Sequence, residues 1–196
     1  ESAVSHLFDL YHAQESAIIE DRNGVEIAIL RNAKGHYMRP VEIVPPEFAR
    51  LLIAKEDNYF YYHPGVNPGS IARSLLYYPF RGRFSGSSTL TQQLVKNLLG
   101  NENNRTWGNK IKEAIYAFSL EMTASKEEVI IMYANTVYFG NQAEGIVEAA
   151  RLYFGLPPES LQTSDYKKLL AHLNNPSRYP VVESIQRAHE NMFELA

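Results

Sequence analysis

The spacing of apolar residues changes once along the chain, from strand-like to helical. Residues 17–30 (AIIEDRNGVEIAIL) alternate between apolar and polar on either side of Asn23-Gly24. This pattern predicts a small β-hairpin closed by a type I′ turn, in which both central residues have positive φ. A polar leader over residues 1–14 precedes the hairpin and is compatible with a helix. From Pro45 onward the spacing is helical, so everything after residue 45 is predicted to be α.

Gly, Pro and Asn residues divide the helical region into segments. Helices are predicted over residues 45–59, 68–77, 88–99, 106–123, 125–133, 142–153, 164–173 and 183–195. Ser87 is placed to cap the third of these and Gly100 to end it, while Ser125 and Glu128 have the spacing of a capping box at the start of the fifth. The pattern predicts a mainly α fold with a short N-terminal β-hairpin.

The helix predicted over residues 106–123 carries an apolar stripe. The stripe consists of Ile111, Ile115, Phe118 and Met122. Such a stripe normally faces the core, so we expect it to be buried. Lys110 and Glu113 are three residues apart and therefore neighbours on the helix surface. Because Glu113 lies nearly opposite Ile111, this pair is expected to face away from the core.

The composition is that of a folded globule. The chain has 196 residues, of which 45% are hydrophobic and 21% charged, enough for one domain with a core. It contains no cysteine, which excludes a disulfide framework, a thiolate metal site and a cysteine nucleophile. A net charge of −3 argues against a nucleic-acid-binding domain. No apolar run approaches the roughly 18 residues that a membrane span needs.

Charged and aromatic residues are unevenly distributed. Residues 73–112 carry seven cations and one acid, a local charge of +6 that leaves −9 for the rest. Eight aromatic residues fall between residues 59 and 84. A basic stretch that follows an aromatic-rich one favours contact with a membrane interface or a phosphorylated ligand. Scattered surface and core residues would give the same composition.

The segment EDNYFYYHPG, residues 56–65, joins two acids, aromatic residues and a histidine at the end of a predicted helix. Glu56 follows the apolar stretch LLIAK, so its carboxylate is expected to be partly desolvated, which makes it a better general base. Spacing alone favours the alternative, in which Glu56 and Asp57 are solvated helix-end charges and His63 is a turn residue.

The segment GSSTLTQQLVKN, residues 86–97, places small hydroxyl residues at a helix start, before Gln92, Gln93 and Lys96. Free backbone N–H groups, hydroxyls, amides and an ammonium in one place suit a phosphate or diphosphate. An ordinary polar N-cap with a glutamine-rich surface face is the alternative interpretation.

The remaining motifs are weaker. The segment SKEEVIIMYANTVYFG, residues 125–140, has the pattern of a core helix, interrupted by Lys126, Tyr133 and Asn135. The six histidines show neither HExxH nor His-x-His spacing, and no GxSxG motif is present. The sequence therefore supports neither a zinc hydrolase nor a serine hydrolase.

Taken in order, four segments resemble the peptidoglycan glycosyltransferases, the family 51 glycosyltransferases of class A penicillin-binding proteins and monofunctional transglycosylases. EDNYFYYHPG is similar to EDxxFxxHxG, GSSTLTQQLVKN to GGSTxTQQLxKN, NKIKEA to RKxxEA, and SKEEVIIMYANTVYFG to KxxILxxYxNxxxFG. The resemblance runs from about Pro40 to Tyr179 and is greatest to the bifunctional type. It implies a lysozyme-like helical large lobe and a smaller, membrane-proximal jaw lobe.

The resemblance also implies a reaction, the polymerisation of lipid II into glycan strands with inversion and release of undecaprenyl diphosphate. Glu56 would be the general base and Glu113 the second carboxylate. The residues implied to contact substrate or diphosphate are Asp57, Phe60, His63, Ser88, Thr89, Gln92, Gln93, Lys96, Asn97, Arg105 and Lys110. A divalent cation, Mg²⁺ or Mn²⁺, would lie near the diphosphate with Glu113 helping to bind it, and no organic cofactor is implied.

Partners and location follow from the same resemblance. Lipid II, the lipid-linked glycan strand, the membrane surface and other cell-wall synthesis proteins are the expected partners, and nucleic acid is not. The expected location is the outer face of the bacterial cytoplasmic membrane. Residues 1–44 would form a linker helix and β-hairpin and residues 45–196 the glycosyltransferase domain. A transmembrane anchor and a transpeptidase domain would lie outside this chain.

Two positions depart from the family pattern. Ser87 stands where a second Gly is usual, and Asn109 stands where Arg is usual, which removes one cation near Lys110. Two alternative functions keep the fold: a lysozyme-like enzyme that cleaves glycan, and an inactive domain that binds lipid II or a partner. The diphosphate-type helix start at residues 86–96 argues against the first.

Overall fold

The computed structural model describes residues 3–69, 88–100 and 106–173. The chain divides into two units, one made of residues 1–9 and 52–129 and the other of residues 10–51 and 130–196. The described helices are α1 (Ala3–His12), α2 (Pro46–Glu56), α3 (Leu90–Leu98), α4 (Trp107–Glu121), α5 (Lys126–Thr136), α6 (Gly145–Phe154) and α7 (Thr163–His172). The strands are β1 (Ile18–Glu20), β2 (Glu26–Ile29), β3 (Tyr37–Met38), β4 (Tyr138–Gly140) and β5 (Ala143–Glu144). The predicted mainly α class with a short hairpin is confirmed.

The N-terminal hairpin forms where predicted, but its turn is of another type. Strands β1 and β2 pair antiparallel, with Ile18 opposite Ile29. Gly24 has φ 78°, whereas Asn23 is not among the residues with positive φ, so the turn is not type I′. The Asp21 carboxylate accepts hydrogen bonds from the backbone N–H groups of Asn23 (2.7 Å) and Val25 (2.9 Å). These bonds favour a longer loop that ends in a left-handed glycine, and they hold the pKa of Asp21 below its usual value.

A second, three-stranded sheet contradicts the prediction that everything after residue 45 is α. Strand β5 lies in its centre, parallel to β3 and antiparallel to β4. Asn141 (φ 48°) and Gln142 (φ 67°) form a two-residue reversal between β4 and β5, with the positive φ values that a type I′ turn requires. The strands have two or three residues each, too few for an alternating pattern to show in the sequence.

Helix α4 buries the face opposite to the one predicted. The stripe of Ile111, Ile115, Phe118 and Met122 is 47 to 67% exposed, whereas Glu113, Ala117 and Leu120 are buried. The buried face accepts a close backbone approach, because a Cβ at Gly65 would lie 2.4 Å from the Ala117 carbonyl oxygen. Small side chains on this face admit that contact, and the apolar stripe consequently points outward.

Helix termini agree with several of the sequence signals. Ser125 and Glu128 form the predicted capping box at the start of α5, and Gly100 follows the end of α3 with φ 66°. Helix α3 is capped by Thr89, however, and not by Ser87. The helix predicted over residues 183–195, Ser87 itself and residues 70–77 lie outside the described part of the chain. The boundary at residues 44 and 45 stays a prediction.

Asn135, near the end of α5, ties three parts of its unit together. Its amide nitrogen donates to the Tyr11 hydroxyl (2.8 Å) and to the Val41 carbonyl (3.0 Å), and its amide oxygen accepts from the Val41 N–H (2.8 Å). Asn135 is fully buried. Burial also raises the pKa of the Tyr11 hydroxyl. All three bonds are made by this one side chain. Because buried polar groups need partners, its loss would leave the groups that it contacts unsatisfied.

We expect Asn135→Leu to lower the free energy of unfolding by about 2 to 4 kcal/mol, because it leaves the buried Tyr11 hydroxyl and the partly buried backbone groups of Val41 without this partner. Chemical denaturation measures this change. The exposed Asn23→Ala variant is the control and should change stability by less than about 0.5 kcal/mol. A leucine variant as stable as this control would contradict the assignment.

Candidate active site

Glu56 ends helix α2, and its side chain is only 13% exposed. The Lys55 ammonium lies 2.8 Å from its Oε1, and the Gln93 amide donates to its Oε2 at 3.3 Å. The carboxylate is therefore partly desolvated, as the sequence predicts, and held between a cation and the side chain of a residue in α3. Lys55 was not singled out from the sequence, although its position directly before Glu56 was the available signal.

Asp57 and His63 form a buried pair behind Glu56. The His63 Nε2 lies 3.0 Å from Asp57 Oδ2, and the same oxygen accepts a hydrogen bond from the Leu90 N–H at 3.0 Å. Their side chains are 5% and 4% exposed. The pair links the end of α2, the loop after it and the start of α3, so it fixes the position of the residues on either side.

The start of α3 uses its own side chains to satisfy its backbone. The Thr89 hydroxyl accepts from the Gln92 N–H, and the Gln92 amide oxygen accepts from the Thr89 N–H, each at 3.1 Å. Asp57 takes the Leu90 N–H. These three N–H groups therefore already have partners. The prediction that the backbone N–H groups at this helix start are free is wrong for them. Both Thr89 and Gln92 are buried.

The loop after His63 is locked against two helices at Gly65. The Thr89 hydroxyl donates to the Gly65 carbonyl at 2.6 Å. Gly65 has φ 78°, and a Cβ there would collide with the Ala117 backbone of α4. A residue with a side chain fits neither requirement. Phe60, in the short 3₁₀ turn Phe60–Tyr62, is fully buried below the same loop.

Lys110 and Glu113 form the predicted ion pair on the first turns of α4. The Lys110 ammonium lies 2.7 Å from Glu113 Oε2 and donates to the Ser88 hydroxyl at 2.8 Å. The side chain of Lys110 is 31% exposed and that of Glu113 only 9%. The pair faces the buried side of the helix. The predicted stripe implied that it would face solvent, so that prediction is wrong. It therefore offers one reachable cation beside a shielded carboxylate.

A second ion pair joins Glu121 of α4 to Lys126 of α5. Glu121 Oε2 accepts from the Lys126 ammonium and Oε1 accepts from the Thr91 hydroxyl. Lys126 also donates to the His63 carbonyl at 2.7 Å. The sequence interpretation assigned Lys126 to a core helix and did not single out Glu121. Two signals for this pair were present in the sequence. Lys126 is the lysine of the KxxILxxYxN motif, and Glu121 lies two helical turns beyond Glu113.

The structure joins some of the predicted site residues in two separate groups. Gln93 donates to Glu56, and Lys110 contacts both Ser88 and Glu113. Lys96 and Asn97 lie half-buried on α3. Arg105 lies outside the described residues. Their roles toward a ligand stay predictions.

The residues present are a poor set of metal ligands. Across the described ranges, no group of three or more His, Asp or Glu side chains could hold an ion. Glu113 already has the Lys110 ammonium on one oxygen. Mg²⁺ usually takes only one or two carboxylates together with phosphate oxygens. A Mg²⁺ or Mn²⁺ ion shared by Glu113 and diphosphate oxygens therefore stays a prediction.

The two carboxylates differ in the chemistry that they can perform. Glu56 is partly shielded and has an amide donor to orient it, which suits acceptance of a proton from a hydroxyl. Glu113 is neutralised by Lys110, so it suits the orientation of a cation that meets developing negative charge. Transfer of a group to a hydroxyl, with release of an anionic leaving group, requires a base for the hydroxyl proton and a cation near the leaving group.

Comparison with known proteins finds a family model and several relatives that match this chain. The model of the transglycosylase family matches residues 23–195. The chain is 36% identical to penicillin-binding protein 1A of Escherichia coli over 146 residues, which is 74% of the chain and 17% of that protein. It is 34% identical to penicillin-binding protein 1C of Escherichia coli over 172 residues, 86% of the chain and 22% of that protein. It is 34% identical to penicillin-binding protein 2a of Streptococcus pneumoniae over 179 residues, 91% of the chain and 24% of that protein.

The chain thus spans about a fifth of the length of these relatives. The family match covers all four motifs, from EDNYFYYHPG to SKEEVIIMYANTVYFG. The chain belongs to the transglycosylase family, and the resemblance to the peptidoglycan glycosyltransferases is confirmed.

Proposed function

We propose that this chain polymerises lipid II into glycan strands by inverting glycosyl transfer. The observation that carries the proposal is the pair of carboxylates tied to the region of α3: Glu56 through Gln93, and Glu113 through Lys110 and Ser88. An acceptor hydroxyl would approach the first and a diphosphate leaving group the second.

On the acceptor side, Glu56 takes the proton of the attacking 4-hydroxyl. The oxygen then forms a bond to the anomeric carbon of the donor from the face opposite the leaving group, so the configuration inverts. The Gln93 amide, 3.3 Å from Glu56 Oε2, orients the carboxylate for this step. The Lys55 ammonium, 2.8 Å from Oε1, holds the carboxylate from its other oxygen.

On the donor side, the bond between the anomeric carbon and the diphosphate oxygen breaks, and the diphosphate leaves with the electron pair. Lys110 is the cation best placed to meet that charge, because it is partly exposed and is held by Ser88 and Glu113. Lys96 adds a second cation on α3. Neither step is routed through a divalent ion.

A membrane surface is the proposed setting, on the outer face of the cytoplasmic membrane. None of the described helices is long and apolar enough to span a bilayer. The outward stripe of α4 supports peripheral contact, because three large apolar side chains on the helix that carries Lys110, and Met122 directly after it, are exposed. The exposed Lys112 beside it favours anionic headgroups. Contact with other cell-wall synthesis proteins stays a prediction.

We expect Glu56→Gln to lower the rate of glycan polymer formation from lipid II at least about 100-fold, because the amide cannot accept the proton. Gel analysis of labelled glycan chains measures this rate. Glu47→Gln, at the exposed start of the same helix, is the matched control and should retain the rate of the unmodified chain. Equal rates for the two variants would rule out Glu56 as the base. Release of fragments from purified sacculi would instead favour the glycan-cleaving alternative.

Asn109→Arg should tighten binding of a phosphoglycolipid inhibitor about two- to fivefold, because it adds a cation next to Lys110 at a partly exposed position. Calorimetry measures the affinity. The same substitution in the hairpin, Asn23→Arg, adds the same charge elsewhere and should leave the affinity unchanged. Equal affinities for both variants would show that the missing cation does not limit diphosphate binding.

We expect Ile115→Ser to weaken binding of the chain to phosphatidylglycerol vesicles roughly tenfold, because it removes apolar area from the outward stripe of α4. Vesicle flotation measures the bound fraction. Ile27→Ser is the control and should bind as the unmodified chain does, because Ile27 is an exposed isoleucine in the hairpin (66%, against 56% for Ile115). If Ile27→Ser lost binding and Ile115→Ser kept it, the hairpin would be the lipid contact.

A further inference from the structure

The Glu121–Lys126 pair is more buried than the Lys110–Glu113 pair. The Glu121 side chain is 3% exposed and that of Lys126 21%. Removing two charges from water is costly, and a well-packed apolar pair is often as stable as a buried ion pair. Stability by itself is therefore a weak reason for charges at this position, and the contacts of Lys126 indicate another.

Lys126 divides its contacts between the acid and one short stretch of chain. Its ammonium donates to Glu121 and to the His63 carbonyl, and it lies 4.3 Å from the centre of the Phe60 ring. Ammonium groups are attracted to aromatic faces at this distance. Lys126 thus contacts the turn after Glu56 at two points, Phe60 and His63.

That stretch of chain is coupled to the proposed base. The His63 imidazole contacts Asp57, the residue after Glu56, and Asp57 accepts the Leu90 N–H at the start of α3. Gln93, one turn further along α3, donates to Glu56. Glu121 contacts the same helix through Thr91. The buried pair therefore contacts both segments that determine the position of Glu56.

We propose that Glu121 and Lys126 are positioning residues for the acid-base step: they hold the 60–65 loop and α3 in the register that places Glu56 against Gln93. The pair touches no substrate in this scheme. A misplacement of about 1 Å in a catalytic group can cost about 100-fold in rate. The inference rests on the proposed function, since it assigns these residues to that reaction.

The test compares Lys126→Met with the double variant Glu121→Gln/Lys126→Met in the 196-residue chain. Turnover of lipid II is measured per site, with sites counted by titration with a phosphoglycolipid inhibitor, and stability is measured by thermal unfolding. The single variant leaves Glu121 buried without its cation and should lower both kcat and the unfolding temperature. The double variant removes both charges and should recover the unfolding temperature.

The expected result is that kcat stays at least tenfold low in the double variant, with KM within about threefold, because the tether to His63 and Phe60 is still missing. A purely structural pair would instead regain kcat together with stability, and that outcome would overturn the proposal. Inhibitor affinity should stay unchanged, because Lys110 and Ser88 are untouched.

Lys168→Met is the matched control. Lys168 also has an acid partner, Asp165 at 3.2 Å, and an aromatic neighbour, Phe154 at 5.8 Å, but it is 56% exposed and lies in the other unit. It should keep full kcat. If the unmodified chain failed to polymerise lipid II, the proposed function would fail; if it did so and the double variant matched it, only the positioning role would fail.

Discussion

The site depends on how the first turn of α3 satisfies its backbone. A helix start leaves four N–H groups without partners inside the helix. Here Asp57 accepts from Leu90, and Thr89 and Gln92 exchange hydrogen bonds in a capping box. Because Asp57 directly follows Glu56, its bond to the Leu90 N–H also fixes Glu56 relative to that helix. Three N–H groups of this helix start are therefore occupied, so an anion bound there in the proposed reaction would rely largely on side chains such as Lys110.

Local signals predicted individual contacts better than periodicity predicted faces. The partial burial of Glu56 follows from its place at the end of an apolar helix, and the Lys110–Glu113 ion pair follows from its i, i+3 spacing. The prediction that the apolar stripe of α4 is buried was wrong. Periodicity identifies an apolar face, but it does not show whether the protein core covers that face. Backbone contact at Ala117 requires a small residue, so a face containing Glu113 could be the buried one.

Other features had no usable pattern in the sequence. Strands β4 and β5 are too short to alternate, and the reversal between them uses positive φ at Asn141 and Gln142 in place of a glycine. The hairpin turn was placed correctly, but its type was decided by the Asp21 side chain. Glu121 meets Thr91 across 30 residues of sequence, a contact that only the packing of α3 on α4 produces.

The acids of two lysine–glutamate pairs lie on one face of α4, and the lysines of the two pairs differ in exposure. Glu113, Ala117 and Glu121 are four residues apart, so they follow one another along the inward face of α4. At one end, Lys110 is 31% exposed and can meet an anionic ligand; at the other, Lys126 is covered by the Phe60 ring and the His63 carbonyl. Gly65 packs on Ala117 between them. Helix α4 thus carries the acid of each pair: Glu113 contacts the partly exposed Lys110 of the same helix, and Glu121 contacts Lys126, the first residue of α5. In the proposed reaction, α4 would therefore link the donor side, through Lys110, to the acceptor side, through the loop that Lys126 contacts.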